Sequence, residues 1–242
     1  MMNIKCHIAN FFTLLNSACG FLAIIAMING DIITACYLVI LGGAFDFLDG
    51  FVARALNVCS ELGKQLDSLS DMVTFGAVPG LIAYHLLISN GVTGLISYTP
   101  VLVPVFSGLR LGKFNLDERQ TTSFLGLPTP ANGLFWISLP LILNQIPEDF
   151  TNTIYVLFSE LINQPAFVIG SIVITSAILV SELPLFGFKF KNYSWADNKI
   201  RFSFIIIAIA LLIIFHFAAI PIILILYILF SIINNMVSKN EV

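Results

Sequence analysis

The chain predicts an all-α fold, a polytopic membrane helix bundle of about eight transmembrane helices, and three observations lead there. Of 242 residues, 58% are hydrophobic and only 10% are charged, and the mean hydropathy is +0.96. A soluble domain carries about 25% charged residues. The apolar residues fall into long runs closed by short polar clusters such as Asn29-Gly30-Asp31 and Ser89-Asn90-Gly91. Threading those runs back and forth also puts all eleven basic residues on one side, the asymmetry that the positive-inside rule expects.

Taken in order, residues 1–10 read as a short mixed segment at the interface. Lys5 precedes an apolar run without a convincing small-residue cleavage site, so the first span, Phe11 to Ile28, is expected to be retained. The second begins at Ile32, runs through Ala44 and leads into an aspartate-rich stretch. The third covers about Gly63 to Ile88, the fourth about Leu95 to Gly112 and the fifth about Ala131 to Leu143, with the polar loop KFNLDERQTTSFLGLPTP between the last two. QIPEDFTNTIYVLFSELINQP is too polar to span and suits a short interfacial helix; Ala166 to Val180 is the sixth span. The loop SELPLFGFKFKNYSWADNK carries aromatics suited to a headgroup layer. Phe202 to Ile233 has no charged residue, and as one helix its 32 residues would reach about 48 Å, beyond the roughly 30 Å hydrocarbon core. A break near Pro221 makes eight spans; merging the last two strands only Lys239, so seven stay open. No internal repeat divides residues 1–242, which read as a single domain.

With the N-terminus and the aspartates on one side, Lys5, Arg54, Lys64, Arg110, Lys113, Arg119, Lys189, Lys191, Lys199, Arg201 and Lys239 share it. The opposite loops carry Asp31, Glu148, Asp149 and Glu160. The aspartates are therefore expected at the cytoplasmic face of a multi-pass protein of the cell (plasma) membrane. Four cysteines, Cys6, Cys19, Cys36 and Cys59, lack CxxC spacing, and His7, His85 and His216 are isolated; none makes a ligand pattern. No nucleic-acid partner is expected.

The chemistry concentrates in DFLDGFVARALNVCSELGKQLDSLSD, residues 46–71. Asp46, Asp49, Gly50 and Ala53 lie on one face of a helix, and Gly63, Asp67 and Asp71 make a second one-faced stripe. Asn57, Ser60 and Glu61 form the polar break between two antiparallel helices whose facing ends would gather four carboxylates. Four ionised carboxylates at membrane depth would cost on the order of 10 kcal/mol, at roughly 2.5–3.5 each. No matching cluster of Lys or Arg stands ready to neutralise them. Divalent cations would do so, and oxygen-only ligands favour Mg²⁺ or Mn²⁺ over zinc.

The fixed positions Asp46, Asp49-Gly50, Ala53-Arg54, Gly63, Asp67 and Asp71 resemble the signature of the CDP-alcohol phosphotransferase family of membrane enzymes. That resemblance implies two divalent ions, Mg²⁺ or Mn²⁺, ligated by Asp46, Asp49 and Asp67, with Asp71 completing the site and acting as base toward the acceptor hydroxyl. It implies that Gly50 and Ala53 are small so that the cytidine nucleotide can approach, with Gly63 in the same site. Arg54 either pairs with phosphate or serves as a positive-inside anchor. The stretches SELGKQLDSLSDMVTFGAVPG and RLGKFNLDERQTTSFLGLPTPAN, the FTLLN start and the LPLFG loop resemble the serine-accepting branch of that family. The implied substrates are CDP-diacylglycerol and L-serine within membrane lipid, and the implied assembly is a homodimer.

A zwitterionic acceptor needs a cation for its carboxylate and an acceptor for its ammonium group. Arg110, Lys113 and Asn115 close the fourth span on the aspartate side, and an arginine fork is the best carboxylate partner among them. The same residues also suit snorkelling at the interface. Asn16, at helical spacing from Thr13 and Gly20, either faces the nucleotide or hydrogen-bonds a neighbouring helix. Two other functions remain open: a family member using another acceptor (phosphatidylglycerophosphate or phosphatidylinositol type), and a divalent-cation transporter.

Overall fold

Ten α-helices and one two-stranded ribbon make up the computed structural model, which describes residues 4–58, 60–117, 123–145, 153–187 and 194–240. The helix α1 runs Ile4–Ile28 and α2 Ile32–Ala55, and the two pack along their lengths as a hairpin. α1 starts earlier than the sequence suggested. IKCHIAN contains no proline or glycine to stop it, so the segment read as interfacial is the first two turns of the helix. Asp31 caps α2 by accepting from the Thr34 N–H at 3.0 Å. Bonding from Thr34, side chain and then backbone, holds this exposed carboxyl below the usual range.

α3 (Glu61–Asp71) continues without interruption through a π-helical turn, Met72–Ala77, into α4 (Val78–Ser89). A π turn lodged in an α-helix shifts its register and frequently marks a functional position; this one begins at the residue after Asp71. Glycines receive it. A Cβ on Gly42 would come within 2.8 Å of Thr74 Cγ2, and one on Gly133 within 2.9 Å of the Phe75 ring. Thr74 then donates to the Asn16 carbonyl at 3.1 Å.

A 3₁₀ turn, Leu95–Val101, leads into α5 (Leu102–Leu116). α6 (Thr129–Asn144) is the most enclosed helix; Trp136, Ile137, Leu139 and Ile142 are fully buried along it. α7 (Thr153–Ile162) and α8 (Pro165–Val180) meet at 86°, so the short helix expected between the fifth and sixth spans is present. β1 (Ser123–Leu125) and β2 (Pro184–Phe186) pair antiparallel, Phe124 opposite Leu185. This ribbon, within two stretches read as loops, is the one departure from an all-α fold among the described residues.

α9 (Trp195–Phe215) and α10 (Ala219–Asn240) form an antiparallel hairpin, with the Phe204 ring against Tyr227 and Phe230. The break falls at His216–Ala218, with His216 at φ 45°, just ahead of Pro221 and close to where it was expected. Pro221 stands in the first turn of α10, where a missing N–H costs no hydrogen bond.

Among the described residues, five stretches are long and apolar enough to cross a membrane, or six if α7 and α8 together make one span. The chain is a multi-pass membrane protein. A helix stands at each of the eight positions expected to span. However, α6 and α8 have 16 residues each, about 24 Å at 1.5 Å per residue, and the α9–α10 hairpin counts as one stretch by length and composition.

Candidate active site

The aspartates lie where α1, α2 and α3 converge at one end of the bundle. Asp46 and Asp49 sit in the last half of α2, and Asp67 and Asp71 in the second half of α3. Between them the chain reverses through Asn57, which takes a left-handed φ of 51°, and Ser60, whose hydroxyl caps α3 by accepting from the Gly63 N–H at 3.0 Å. Helical spacing thus faces the two carboxylate pairs across a tight turn.

Asp46, Asp49 and Asp67 each offer a carboxylate oxygen, all within 4.8 Å of one another. Asp71 adjoins that triad, almost fully buried, accepting from Asn16 Nδ2 at 3.4 Å. Asp46 is within side-chain reach of both Asp67 and Asp71. The field of Arg110 reaches Asp67 and Asp71, so the cluster does have a cationic neighbour on α5. One guanidinium against four carboxylates still leaves an excess of negative charge. An all-oxygen donor set of this kind fits a hard divalent cation.

A cleft of about 240 Å³ opens beside the triad. Asp49, Gly50 and Ala53 line it from α2, and Ser60, Gly63, Lys64 and Asp67 from the start of α3. From α1 come Ala9, Asn10 and Thr13, of which Thr13 donates to Asp49 Oδ2 at 2.6 Å. The two glycines differ. A Cβ on Gly50 would meet only Arg54 Nη2, at 3.8 Å, so the space above it is open. A Cβ on Gly63 would sit 2.9 Å from Asn10 Oδ1 and 3.0 Å from Ser60 Oγ, so Gly63 lets α3 close on α1.

Asn16 lies a turn deeper than the cleft, fully buried, with Nδ2 on Asp71. Of its two open roles, the one seen is the contact to a neighbouring helix. Arg54 ends α2, near Gly50 but outside the lining. Asn10 and Thr13, missed by sequence reasoning, reach the site only through tertiary packing; their one signal was the polar spacing Asn10, Thr13, Asn16 in an otherwise apolar helix.

A second cleft, about 390 Å³, is lined by Arg110 and Lys113 of α5 and by residues 179–182 at the end of α8 and just beyond it. Arg110 is 7% exposed; its Nη1 donates to Thr129 Oγ1 at 3.5 Å, and the guanidinium lies 5.0 Å from the Phe114 ring centre. Asn115 is engaged elsewhere. It donates to Ser68 Oγ at 2.8 Å, and its carbonyl accepts from Lys64 Nζ at 2.7 Å, tying α5 to α3. Arg54, Lys64, Arg110, Lys113, Lys199 and Arg201 share the end of the bundle that holds the aspartates, whereas Asp31 and Glu160 stand at the other. Arg119, Lys189, Lys191, Glu148, Asp149 and Cys59 lie outside the described residues, as do the side chains of Lys5, Cys6 and Lys239.

Apolar helices crossing a membrane, with a carboxylate triad at one end of the bundle, define an integral membrane protein with a candidate divalent-metal centre. Residues 6–180 match the CDP-alcohol phosphatidyltransferase family, a family of phosphotransferases, and the chain belongs to it. Among its relatives, a CDP-diacylglycerol–serine O-phosphatidyltransferase of Bacillus subtilis is 33% identical over 144 residues, 58% of this chain and 78% of the relative. Its namesake in Helicobacter pylori is 30% identical over 228 residues, 93% of this chain and 89% of the relative. An archaetidylserine synthase of Methanothermobacter thermautotrophicus is 33% identical over 123 residues, 50% of this chain and 52% of the relative.

Proposed function

We propose that the chain transfers the phosphatidyl group of CDP-diacylglycerol to the hydroxyl of L-serine, releasing CMP. The observation that carries the reading is the triad of Asp46, Asp49 and Asp67 beside an open cleft, in a chain whose relatives over most of its length are named for serine. In the transfer, the serine oxygen bonds to the phosphorus bearing diacylglycerol, and the bond from that phosphorus to the oxygen of CMP breaks. The hydroxyl proton passes to a base.

In this reading Asp46, Asp49 and Asp67, with Asp71 at their edge, would hold two Mg²⁺ or Mn²⁺ ions. Bound there, such ions would neutralise the diphosphate, stabilise the leaving oxygen and acidify the acceptor hydroxyl. The side chains do the positioning. Thr13 orients Asp49, Gly50 and Ala53 leave room for the nucleotide, and Arg54 and Lys64 stand near enough to the cleft to meet phosphate. Asp71, fixed by Asn16 and close to the field of Arg110, takes the proton. Arg110 receives the serine carboxylate, with Lys113 on the same wall.

The distribution of basic residues supports a site at the cytoplasmic face of the cell membrane. We read residues 1–242 as one domain and, by family resemblance, the assembly as a homodimer. A transporter is disfavoured, because beneath the aspartates α1, α2 and the π turn close on one another through Gly20 and Gly42. The test incubates the purified protein with CDP-diacylglycerol, Mg²⁺ and a panel of alcohols, reading CMP release and the lipid product. Serine should be the preferred acceptor. Release with glycerol 3-phosphate or inositol but not serine would reassign it.

A further inference from the structure

The cleft around Arg110 has a second wall. Facing Arg110 and Lys113 of α5, the turn after α8 lines it with Ser181 and Glu182, and Asp117 contributes at the end of α5. Cations on one helix and a carboxylate on the opposing turn match the two ends of a zwitterion. Arg110 also has capacity to spare: it is 7% exposed, its Nε has no hydrogen-bond partner among the described residues, and its Nη1 contact is a long 3.5 Å. A buried donor left open is costly, so this fork suits an anionic group entering from the cleft.

The turn that carries Glu182 is held from both sides. Gly126, at φ +74°, donates its N–H to the Leu183 carbonyl at 3.0 Å, and Leu127 donates to the Ile178 carbonyl at 3.1 Å. A Cβ at position 126 would strike the carbonyl oxygens of Leu179, Ser181 and Ile178, so glycine alone permits this approach. On the other side, Tyr227 Oη donates to the Phe186 carbonyl at 2.9 Å and Asn235 Nδ2 to the Pro184 carbonyl at 2.6 Å. One side of the clamp comes from TTSFLGLPTPAN and the other from α10, and the segment between them is LPLFG; the two loop stretches are those that resemble the serine-accepting branch. Their joining as the β1–β2 ribbon gives them a physical use: they fix the backbone of the turn that presents the exposed Glu182 to the cleft Arg110 also lines.

We propose that Glu182 receives the ammonium group of the amino-acid acceptor while Arg110 takes its carboxylate, so that this cleft selects a zwitterionic alcohol. The inference rests on the serine reading given above. In full-length protein with CDP-diacylglycerol and Mg²⁺, CMP release is measured against L-serine and against L-glycerate, which has a hydroxyl in place of the ammonium group. Glu182→Gln should raise the serine KM about tenfold or more and shrink the preference for serine over glycerate, while the CDP-diacylglycerol KM stays within about twofold. An unchanged serine KM, or equal loss on both substrates, would overturn the proposal. So would the serine effect appearing in Asp117→Asn but not in Glu182→Gln. Wild-type protein that releases CMP with another alcohol and not with serine fails at an earlier step, visible before any variant is compared, and removes the serine reading itself.

Discussion

Thr13 of α1 and Asp49 of α2 are joined across the helix interface by a 2.6 Å hydrogen bond from hydroxyl to carboxylate. The same Thr13 accepts at its carbonyl from Ser70 of α3, 3.0 Å away. One residue of the first helix therefore sets both helices that bear the aspartates. A carboxylate so held offers its free lone pairs in one direction, as partners behind metal ligands commonly arrange.

Thr13→Val keeps the shape of this side chain and removes the donor. The divalent-ion concentration needed for half-maximal CMP release should rise by about 10–100-fold, the usual cost of losing such a partner. Thr13→Ser should restore it. A metal requirement unchanged in Thr13→Val would reduce the bond to helix packing.

Asp71 and Asp46 should fail differently. Asp71→Asn should still bind CDP-diacylglycerol with metal while turnover falls by about 10²–10⁴, the range for a lost general base. Asp46→Asn, within the triad, should weaken metal and nucleotide binding together. Nucleotide affinity beside single-turnover CMP release separates them; equal loss of binding in both would make Asp71 chiefly a ligand.

Gly50 and Gly63 make a contrast in stability against binding. Gly50→Ala meets open space and replaces a helical glycine, worth about 0.5–1 kcal/mol of added stability, so its thermal midpoint should hold or rise while nucleotide affinity falls. Gly63→Ala pushes against Asn10 and Ser60 and should lower the midpoint. A Gly50→Ala protein with normal nucleotide affinity would show that the nucleotide does not use this face.

The aspartate constellation was legible because helical spacing alone faces Asp46 with Asp49 and Asp67 with Asp71, and the turn at Asn57 and Ser60 is local chemistry. What could not be read depends on contacts between distant segments. Thr13 and Asn10 look like scattered polar residues until α1 packs on α2. Arg110 lies 39 positions beyond Asp71, and no periodicity reveals that its field reaches that carboxylate. The β1–β2 ribbon joins segments 59 residues apart, each too short to show a strand pattern. Pro221 marked the break between the last helices to within a few residues, because proline is tolerated in the first turn of a helix and not in its interior.

Sidedness is tested by single cysteines labelled in intact cells. Position 31, at the end of the bundle away from the aspartates, should react with an impermeant reagent, and position 113 should be spared until the membrane is opened. Labelling at 113 in sealed cells would place the aspartate end outside.

The account turns on the triad holding divalent cations that the transfer needs. The most direct measurement is CMP release from CDP-diacylglycerol and L-serine as Mg²⁺ or Mn²⁺ is titrated into chelated protein, with wild type beside Asp67→Asn. Wild type should be inactive in excess chelator and recover with either ion, and Asp67→Asn should need far more metal or never recover. Full turnover in excess chelator, or an Asp67→Asn titration that overlays the wild type, would contradict it.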